Sequence, residues 1–415
     1  MLISFILFLH SFLRNSIKLP LNIIYVLSHF FPRNPKLCLF GAWGGKKYND
    51  NTRYIYEYIS REAPWITSAW ITKNKKLATT LKSEGKNAFY YLSISGIYYQ
   101  IKASMVVFTH SADNEFFAPF LSRDVLRVQT WHGSPLKKIG YDDVHGVTRR
   151  KSQFIELIFP FRSDHIDLAF ASSQYDKDCF TSAFGMDKKK IVITGYARND
   201  LLTDNNIQKN EGLIKTIYLP TLRGKPGEEF NLFETTKFDF AKYDELLNIY
   251  GISLDIQVHP VQKISDKTLR IIKNCNRIRY LTTSQSSEFY RDLKNYDLLI
   301  TDYSGVYIDF LLTFKPVILA PFDLQEYEEK DRELYLKYSD LCIGELCVSW
   351  EDMFLRIKKE HEQYKKKGPS SKHISLTKQF HKFLDNQSTS RCAQEIEKLL
   401  IYRGDIDQFK RRRGK

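Results

Sequence analysis

The sequence predicts an α/β protein with two facing Rossmann-like domains, each built on a parallel sheet. Short apolar runs typical of buried strands alternate with helical patterns along most of the 415 residues. This alternation indicates parallel strands joined by helical crossovers. The polar, asparagine-rich segment 201–212 interrupts it and separates two series of similar length. A chain of this length also has room for two domains.

The first series is expected to form a domain over residues 36–204. Its first strand, KLCLFG, is followed by the glycine-rich segment AWGGKKYNDN and the helical pattern TRYIYEYIS. ITSAWIT with KKLATTLKSEG repeats this unit, and NAFYYLS with GIYYQIKA continues it. The remaining runs that are predicted to be short buried strands are MVVFTH, VLRVQTW, LAFASS and IVITG.

The second series is expected to form a domain over residues 213–384. Its predicted strands are TIYLPT, LDIQVHP, IRYLTT, DLLITD, PVILAPF and DLCIG. Residues 385–415 are expected to form a helix and a basic tail. Ligands of such sheets bind beyond the carboxyl ends of the strands, so polar residues at these ends could converge on one cleft. The residues in question are His110, His132, Thr221, His259 and Asp302.

Residues 1–35 are expected to form a membrane-associating segment. LISFILFL is wholly apolar and IKLPLNIIYVLSHFF is nearly so, but Arg14, Lys18 and Pro20 interrupt the pattern. A membrane span needs roughly 20 continuous apolar residues, so the pattern favours an amphipathic helix lying in the membrane interface. A spanning helix and a buried N-terminal helix are the alternatives.

The charge balance indicates a polyanionic partner. Lys and Arg number 62 against 48 Asp and Glu, a formal net charge of +14. Nucleic acid, anionic lipid and a phosphate-rich substrate all fit such an excess. The 25 tyrosines lie largely in strand and helix patterns, and no RNA-binding signature is present, which argues against nucleic acid. An anionic membrane surface and a phosphorylated substrate remain.

Metal and redox motifs are missing from the sequence. The six cysteines form no C-x-x-C pair and have no zinc spacing, so a reduced compartment with buried thiols is expected. GAWGGKKY lacks the spacing of a phosphate-binding P-loop, and no H-E-x-x-H occurs. We therefore expect no metal site and no cofactor.

The segment QTWHGSPLKKIGYD, residues 129–142, is the first candidate site. It places His132 directly after a predicted strand, and Ser134, Lys137 and Lys138 follow as candidate contacts to the acceptor or to phosphate. A histidine beside cationic charge suits proton transfer on an anionic substrate. A structural histidine that caps a loop is the alternative for His132.

The second candidate site follows strands of the second domain. TDYSG places Thr301 and Ser304 between a predicted strand and a helix, where hydroxyls and free N–H groups bind phosphate. Ordinary helix capping is the alternative. Asp302 is expected to orient a neighbour, since a carboxylate repels phosphate. His259 is a candidate catalytic residue, as an acid or base or as a donor to a phosphate oxygen, with a packing role as the alternative. Arg223, with Thr221 in the segment PTLRG, is a candidate for a phosphate contact, with an ordinary surface role as the alternative.

Together these segments resemble the CDP-glycerol glycerophosphotransferase family, which contains bacterial teichoic acid primases and polymerases. The segments that carry the resemblance, over about residues 36–395, are WHGSPLKKIGYD, GYARND, YLPTLRG, QVHP and LITDYSGVYIDFLLTFKPVILAPFDLQEY. Gly305, Leu222 and Ala197 depart from the residues usual in this family.

The resemblance implies a GT-B fold and transfer of an alditol phosphate from CDP-glycerol or a related CDP-alditol, with release of CMP. It implies His132 as the base, His259 beside the donor phosphates, and donor contacts from Arg223, Thr301 and Ser304. The acceptor would be lipid-linked or polymeric, in teichoic acid or capsule-type polymer synthesis. The expected location is the cytoplasmic face of the bacterial membrane. A GT-B glycosyltransferase using a nucleotide sugar and a non-catalytic binder of polyanions are the alternatives.

Overall fold

The structure is a computed structural model, and the residues that it describes fall into several ranges. These are 19–144, 149–162, 165–203, 212–224, 227–259, 261–282, 289–325, 327, 333–344, 346–347 and 349–413. Residues 1–18 of the predicted membrane-associating segment therefore lie outside the described residues, as does most of the predicted linker. No helix in these ranges is long and apolar enough to cross a membrane.

The first domain contains a seven-stranded parallel sheet with the order β3-β2-β1-β4-β5-β6-β7. Its strands are β1 Asn34–Phe40, β2 Thr67–Thr72, β3 Ala88–Tyr90, β4 Ala103–Phe108, β5 Leu126–Gln129, β6 Leu168–Ala171 and β7 Ile191–Ile193. Its helices are α1 Leu19–Ser28, α2 Asp50–Glu62, α3 Lys75–Ser83, α4 Ile94–Lys102, α5 Ala112–Glu115, α6 Arg149–Ile158, α7 Gln174–Phe184 and α8 Asp200–Thr203.

The second domain contains a five-stranded parallel sheet with the order β12-β10-β8-β13-β14 and a short parallel pair, β9 and β11. Its strands are β8 Ile214–Leu219, β9 Glu229–Phe230, β10 Ile252–Ile256, β11 Lys263–Ile264, β12 Ile278–Tyr280, β13 Leu298–Thr301 and β14 Val317–Leu319. The helices that follow β8 are α9 Leu232–Thr235, α10 Phe240–Tyr250, α11 Asp266–Lys273, α12 Phe289–Leu293, α13 Val306–Phe310, α14 Tyr338–Leu341, α15 Trp350–Lys367, α16 Ser371–Phe380 and α17 Ser388–Arg413.

The predicted α/β class with parallel sheets is confirmed, with one wrong strand. DLCIG was expected to be a strand, but its first two residues end helix α14. Leu341 and Cys342 are buried there against the helical side of the second sheet, so their apolar character reflects a packed turn. A short apolar run cannot by itself separate these two structures. The exact domain boundaries remain a prediction.

Helix α17 returns to the first domain. Cys392, Ala393, Ile396 and Leu400 are buried in the same core cluster as residues of β1 and α2. The chain therefore begins and ends its packed structure on the first sheet, and the second domain is inserted between these two passes. The start of α17 packs on the segment that follows β7, where the Thr389 hydroxyl donates to the Ala197 carbonyl at 3.2 Å.

The loop that follows β5 provides a second contact between the domains. Lys137 forms an isolated antiparallel bridge with Leu334, and the Lys138 N–H donates to the Glu333 carbonyl at 2.7 Å. The Tyr335 N–H in turn donates to the Leu136 carbonyl at 3.1 Å. The candidate segment 129–142 thus lies against the second domain.

Candidate active site

The polar residues predicted to follow strand ends do so in the structure. His110 follows β4, His132 follows β5, and both strands belong to the first sheet. Thr221, His259 and Asp302 follow β8, β10 and β13, which are neighbours in the second sheet. Because carboxyl ends of parallel strands share one edge, each domain presents its candidate residues along a single edge.

The backbone around His132 is held in an uncommon conformation. Trp131 has φ 55° and Gly133 has φ 121°, so His132 lies between two residues in the left-handed region. The Trp131 ring packs against Phe180 and Phe184, with centroids at 5.5 and 5.1 Å. Strained residues of this kind persist where the surroundings hold them, and they are common at functional sites.

The close approach at Gly133 explains why a glycine follows His132. A Cβ atom there would lie 2.6 Å from Arg198 Nη2 and 3.7 Å from Asp309 Oδ2. Arg198 belongs to the first domain, whereas Asp309 lies on α13 of the second. The loop that carries His132 therefore rests directly on a contact between the two domains.

Arg198 is the centre of a buried ionic network that joins the domains. Its Nη1 lies 2.9 Å from Asp50 Oδ1, and its Nη2 lies 2.7 Å from Asp309 Oδ2. Tyr290 Oη also donates to Asp309 Oδ2 at 2.7 Å, and Asn199 Nδ2 donates to Asp309 Oδ1 at 2.9 Å. All these partners are buried or half-buried, so their geometry is strongly constrained.

Asp50 extends this network to the glycine-rich segment after β1. Its Oδ2 accepts from Trp43 Nε1 at 2.9 Å, and its backbone φ is 64°. Burial alone would raise the pKa of Asp50, but the charge of Arg198 and the hydrogen bonds from the Asn51 and Trp43 N–H groups lower it below its ordinary value. Asp50 is therefore a buried anion close to His132.

His132 is suited to act as a base because its ring is neutral at ordinary pH. Burial lowers the pKa of His132 to about 4, and the adjacent His110 acts in the same direction. Asp50 opposes this shift and Arg198 adds to it. The Nδ1 atom of His132 is buried and has no hydrogen-bond partner within the described ranges. A carboxylate that orients this ring directly is thus not among the contacts in the described part of the chain.

In the second domain, Asp302 joins two loops. Its Oδ1 accepts from the Thr221 and Tyr303 N–H groups at 2.8 and 2.6 Å. Its Oδ2 lies 2.7 Å from Arg223 Nη2. Asp302 therefore orients its neighbours, and no phosphate is needed to explain its position.

Arg223 is already held by carboxylates. Its Nε and Nη2 donate to Asp323 at 2.6 and 2.8 Å, and its Nη1 donates to the Thr221 carbonyl at 3.0 Å. With the Asp302 contact, most of its donors are engaged. Burial alone would raise the pKa of Asp323, but the hydrogen bond and charge of Arg223 hold it below its ordinary value. The predicted phosphate contact of Arg223 would compete with these bonds.

Thr301, Ser304 and Gly305 do not share one environment. Thr301 is fully buried and its hydroxyl donates to the Leu219 carbonyl at 2.6 Å. Ser304 is half-buried and lies just before Gly305, which precedes the first turn of α13. A Cβ atom on Gly305 would lie 3.4 Å from the Ser134 carbonyl. Of the two predicted hydroxyls, only that of Ser304 is at the surface where the loops of both domains meet.

Ser134 and Lys138 make structural contacts. Ser134 is buried and its hydroxyl donates to Asp176 Oδ2 at 3.0 Å. Burial raises the pKa of Asp176 to about 7. Lys138 forms an ion pair with Glu333 of the second domain. The predicted roles of Ser134 and Lys138 in substrate contact thus compete with bonds inside the protein.

His259 lies near two lysines of the first domain. Burial lowers the pKa of His259, and the positive charges of Lys137 and Lys47 lower it further. The Val261 N–H donates to Nδ1 of His259 at 3.4 Å, which leaves Nε2 as the N–H of the neutral ring. The Lys137 ammonium lies 4.9 Å from the centroid of the Tyr327 ring. Positive charge from the first domain therefore lies close to His259 of the second domain.

Sequence reasoning did not single out several residues of this site. Lys47, Asp50, Arg198 and Asp309 are the residues in question. Their signal is weak: Asp309 is one acidic residue within the apolar run VYIDFLL, and Arg198 lies within GYARND. A charge inside a buried pattern indicates a partner but does not name it.

The described ranges contain no group of three or more His, Cys, Asp or Glu side chains arranged to hold a metal ion.

The chain is similar to proteins of teichoic acid synthesis. The model of the family described as CDP-Glycerol:Poly(glycerophosphate) glycerophosphotransferase matches residues 23–398. The teichoic acid poly(glycerol phosphate) polymerase of Bacillus subtilis (strain 168) is 26% identical over 357 residues, which cover 81% of this chain and 45% of the polymerase. The teichoic acid glycerol-phosphate transferase of Staphylococcus aureus (strain NCTC 8325 / PS 47) is 26% identical over 325 residues, which cover 74% and 79% of the two chains.

Solved structures of the wall teichoic acid polymerase TagF have the same fold. One superposes with a TM-score of 0.71 at 21% identity and covers 95% of this chain and 98% of the other. The GT-B-like arrangement expected from the resemblance is thus confirmed as a fold. The chain spans about half the length of two of the polymerases that it matches, 47% of one and 45% of the other.

Proposed function

Because the chain belongs to the CDP-glycerol:poly(glycerophosphate) glycerophosphotransferase family, we propose that it transfers glycerol phosphate from CDP-glycerol to an acceptor hydroxyl and releases CMP. A related CDP-alditol could replace CDP-glycerol. The acceptor is a lipid-linked or polymeric chain, in teichoic acid or capsule-type synthesis.

The meeting of two loops supports this proposal most directly. The loop that carries His132 lies against Gly305 of the TDYSG segment, and both loops follow strand ends of facing sheets. Two-domain α/β enzymes bind ligands in this crevice. A donor held by the second domain would then present its phosphorus to a base held by the first.

In the proposed reaction, the acceptor oxygen attacks the β-phosphorus of the donor. His132, which is neutral, removes the hydroxyl proton as the new O–P bond forms. The bond between the β-phosphorus and the bridging oxygen breaks, and CMP leaves with the electron pair on its phosphate. Phosphoryl transfer of this kind depends mainly on positioning and on neutralising charge.

Charge on the diphosphate would be neutralised where the two domains meet. Lys137 and Lys47 approach His259 from the first domain, and Nε2 of His259 can donate to a phosphate oxygen. Ser304 would add a hydroxyl from the second domain. We propose that Arg223 acts mainly by fixing Asp302, Asp323 and the loop that they shape, since its donors are engaged.

A membrane location is a further part of the proposal, and exposed apolar residues on one surface of the first domain support it. Ile23 on α1 is 64% exposed, and Phe30 just beyond it is 78% exposed. The adjoining helix α6 exposes Phe154 and Leu157, and Asn22 Nδ2 donates to the carbonyl of its last residue, Ile158, at 2.9 Å. Apolar residues on neighbouring helices suit insertion into a membrane interface. A peripheral location on the cytoplasmic face would place the cleft beside a lipid-linked acceptor.

A panel of nucleotide donors tests the proposed reaction. The protein is incubated with CDP-glycerol, CDP-ribitol and UDP-sugars, each with lipid-linked acceptors, and the released nucleotide is measured. We expect CMP from a CDP-alditol, with the matching alditol phosphate joined to the acceptor. Transfer from a UDP-sugar alone would instead establish a glycosyltransferase, and binding without transfer would establish a polyanion-binding protein.

A further inference from the structure

His110 lies directly against His132 and has no part in the proposed transfer reaction. The two ring centroids are 4.3 Å apart, and the ring planes are within 9° of parallel. His110 follows β4 and His132 follows β5, which pair side by side in the first sheet. The two imidazole rings therefore stack on each other at the ends of neighbouring strands.

His110 is itself held firmly. Its Nδ1 lies 2.8 Å from Thr109 Oγ1 and 3.6 Å from Glu115 Oε1. Glu115 is fully buried and also accepts from the N–H groups of Thr109 and His110, at 3.1 and 2.9 Å. The Trp43 and His110 rings also pack in an edge arrangement, with their centroids 5.3 Å apart. A ring fixed by this many contacts can fix the ring stacked on it.

The stacked geometry also restricts where a proton can lie. The N–H groups of parallel rings lie in their own planes, so neither ring donates to the other. Protonation of both rings would place two positive charges face to face. Glu115 faces His110, whereas Asp50 and Arg198 are the charged groups that act on His132.

We propose that His110 is a positioning residue, which keeps the His132 ring in its orientation while the acceptor hydroxyl approaches. The inference rests on the proposed role of His132 as the base. His110 acts through His132 and takes no proton from the substrate. A purely structural role would affect folding but would not change the protonation of His132.

Two substitutions separate the contributions of the ring and of its charge. His110→Phe keeps a flat ring for stacking and removes the titratable imidazole, whereas His110→Ala removes both. His165→Phe is the matched control, because His165 is exposed and contacts Asp167 away from the stack. Titration of the His132 ring is followed by NMR of protein labelled with ¹⁵N-histidine, and its signal is identified by its absence in His132→Gln.

We expect both His110 variants to raise the titration midpoint of His132 by about half a unit or more, since the repulsion from His110 is lost. At a pH above the titration midpoint of His132 in both variants, His110→Phe should keep the single-turnover rate within about threefold of the wild-type rate. His110→Ala should lower it about tenfold or more with donor KM unchanged, because the ring loses its orientation. The control should match the wild type in both measurements.

The proposal is overturned if neither variant moves the His132 midpoint, or if His110→Ala turns over as fast as the wild type. A wild-type protein that transfers no alditol phosphate would overturn the proposed function instead. In that case the NMR titration still decides whether His110 controls the protonation of His132.

Discussion

At the scale of single residues, His132 differs from an ordinary histidine in its protonation. Burial and its neighbour His110 lower its pKa to about 4. A base is useful only while unprotonated, and an ordinary histidine loses half of its base form near pH 6.5. The stacked rings and the buried surroundings thus keep His132 in its base form to a lower pH.

The pH dependence of catalysis follows from this shift. We expect kcat/KM, which reports the free enzyme, to stay near its maximum down to about pH 5 and to fall through one proton near pH 4. The measurement is a pH profile of CMP release at low donor concentration, with unfolding monitored in parallel. An inflection near 6.5 in folded protein would contradict the assigned environment of His132.

Substitutions of Arg223 and Ser304 should differ in their effect on stability. Removing Arg223 leaves Asp302 and Asp323 without their shared cation, and loss of one partner of a buried ion pair costs about 3–5 kcal/mol. Arg223→Ala should therefore lower the free energy of unfolding clearly, whereas Ser304→Ala should change it by less than about 1 kcal/mol. Both should weaken CMP binding, measured by calorimetry. Unchanged stability of Arg223→Ala would show that its ion pairs are not maintained in solution.

At the scale of elements, the site depends on two loops that meet across the domain boundary. Gly133 sits at φ 121° against Arg198, and Gly305 sits at the start of α13 in a right-handed helical conformation with φ −61°. The two glycines thus have different reasons to be glycine. At Gly133 both backbone and space exclude a side chain, whereas at Gly305 the backbone allows one.

Matched substitutions of these glycines test the contact between the loops. Gly133→Ala should lower the free energy of unfolding by at least about 2 kcal/mol, because its Cβ meets Arg198 and its φ is strained. Gly305→Ser should change it by less than about 1 kcal/mol, since its Cβ lies at ordinary contact distance from Ser134. Urea unfolding gives both values. Equal effects would mean that the loops do not pack as the structure has them.

Much of this architecture could be predicted from the sequence, because strands buried on both sides leave continuous apolar runs. DLLITD and TIYLPT are examples, and the residues after them lie at the strand ends as expected. The network around Arg198 could not be predicted, since Asp50 and Asp309 are far from it in sequence and only the assembled domains bring them together. The ion pair between Arg223 and Asp323 could not be predicted for the same reason, since the two residues follow different strands.

At the scale of the whole molecule, α1 and α6 form an exposed apolar surface on the first domain. Tyr25 of α1 is buried against Phe159 and Phe161, so this helix is anchored on one side. Its other side and that of α6 expose apolar residues. Part of the predicted membrane-associating segment is therefore packed onto the first domain, while the part before residue 19 lies outside the described residues.

Vesicle binding tests the role of this surface. Phe154→Glu with Leu157→Glu should reduce binding to vesicles containing anionic lipid by at least about tenfold, because charge replaces apolar contact in the interface. Ile249→Glu, at an exposed apolar residue of the second domain, is the control and should bind normally. Flotation assays give both values. If the double variant and the control float equally, another part of the chain must provide the attachment.

The proposed reaction depends most on a base and a donor meeting where the two domains face each other. The most direct test is rapid-quench measurement of CMP release in a single turnover, at saturating CDP-glycerol and acceptor, for the wild type and His132→Gln. We predict that the variant binds CMP with the affinity of the wild type and releases CMP about 100-fold more slowly or worse. Release at a rate near that of the wild type would contradict the assignment of His132 as the base.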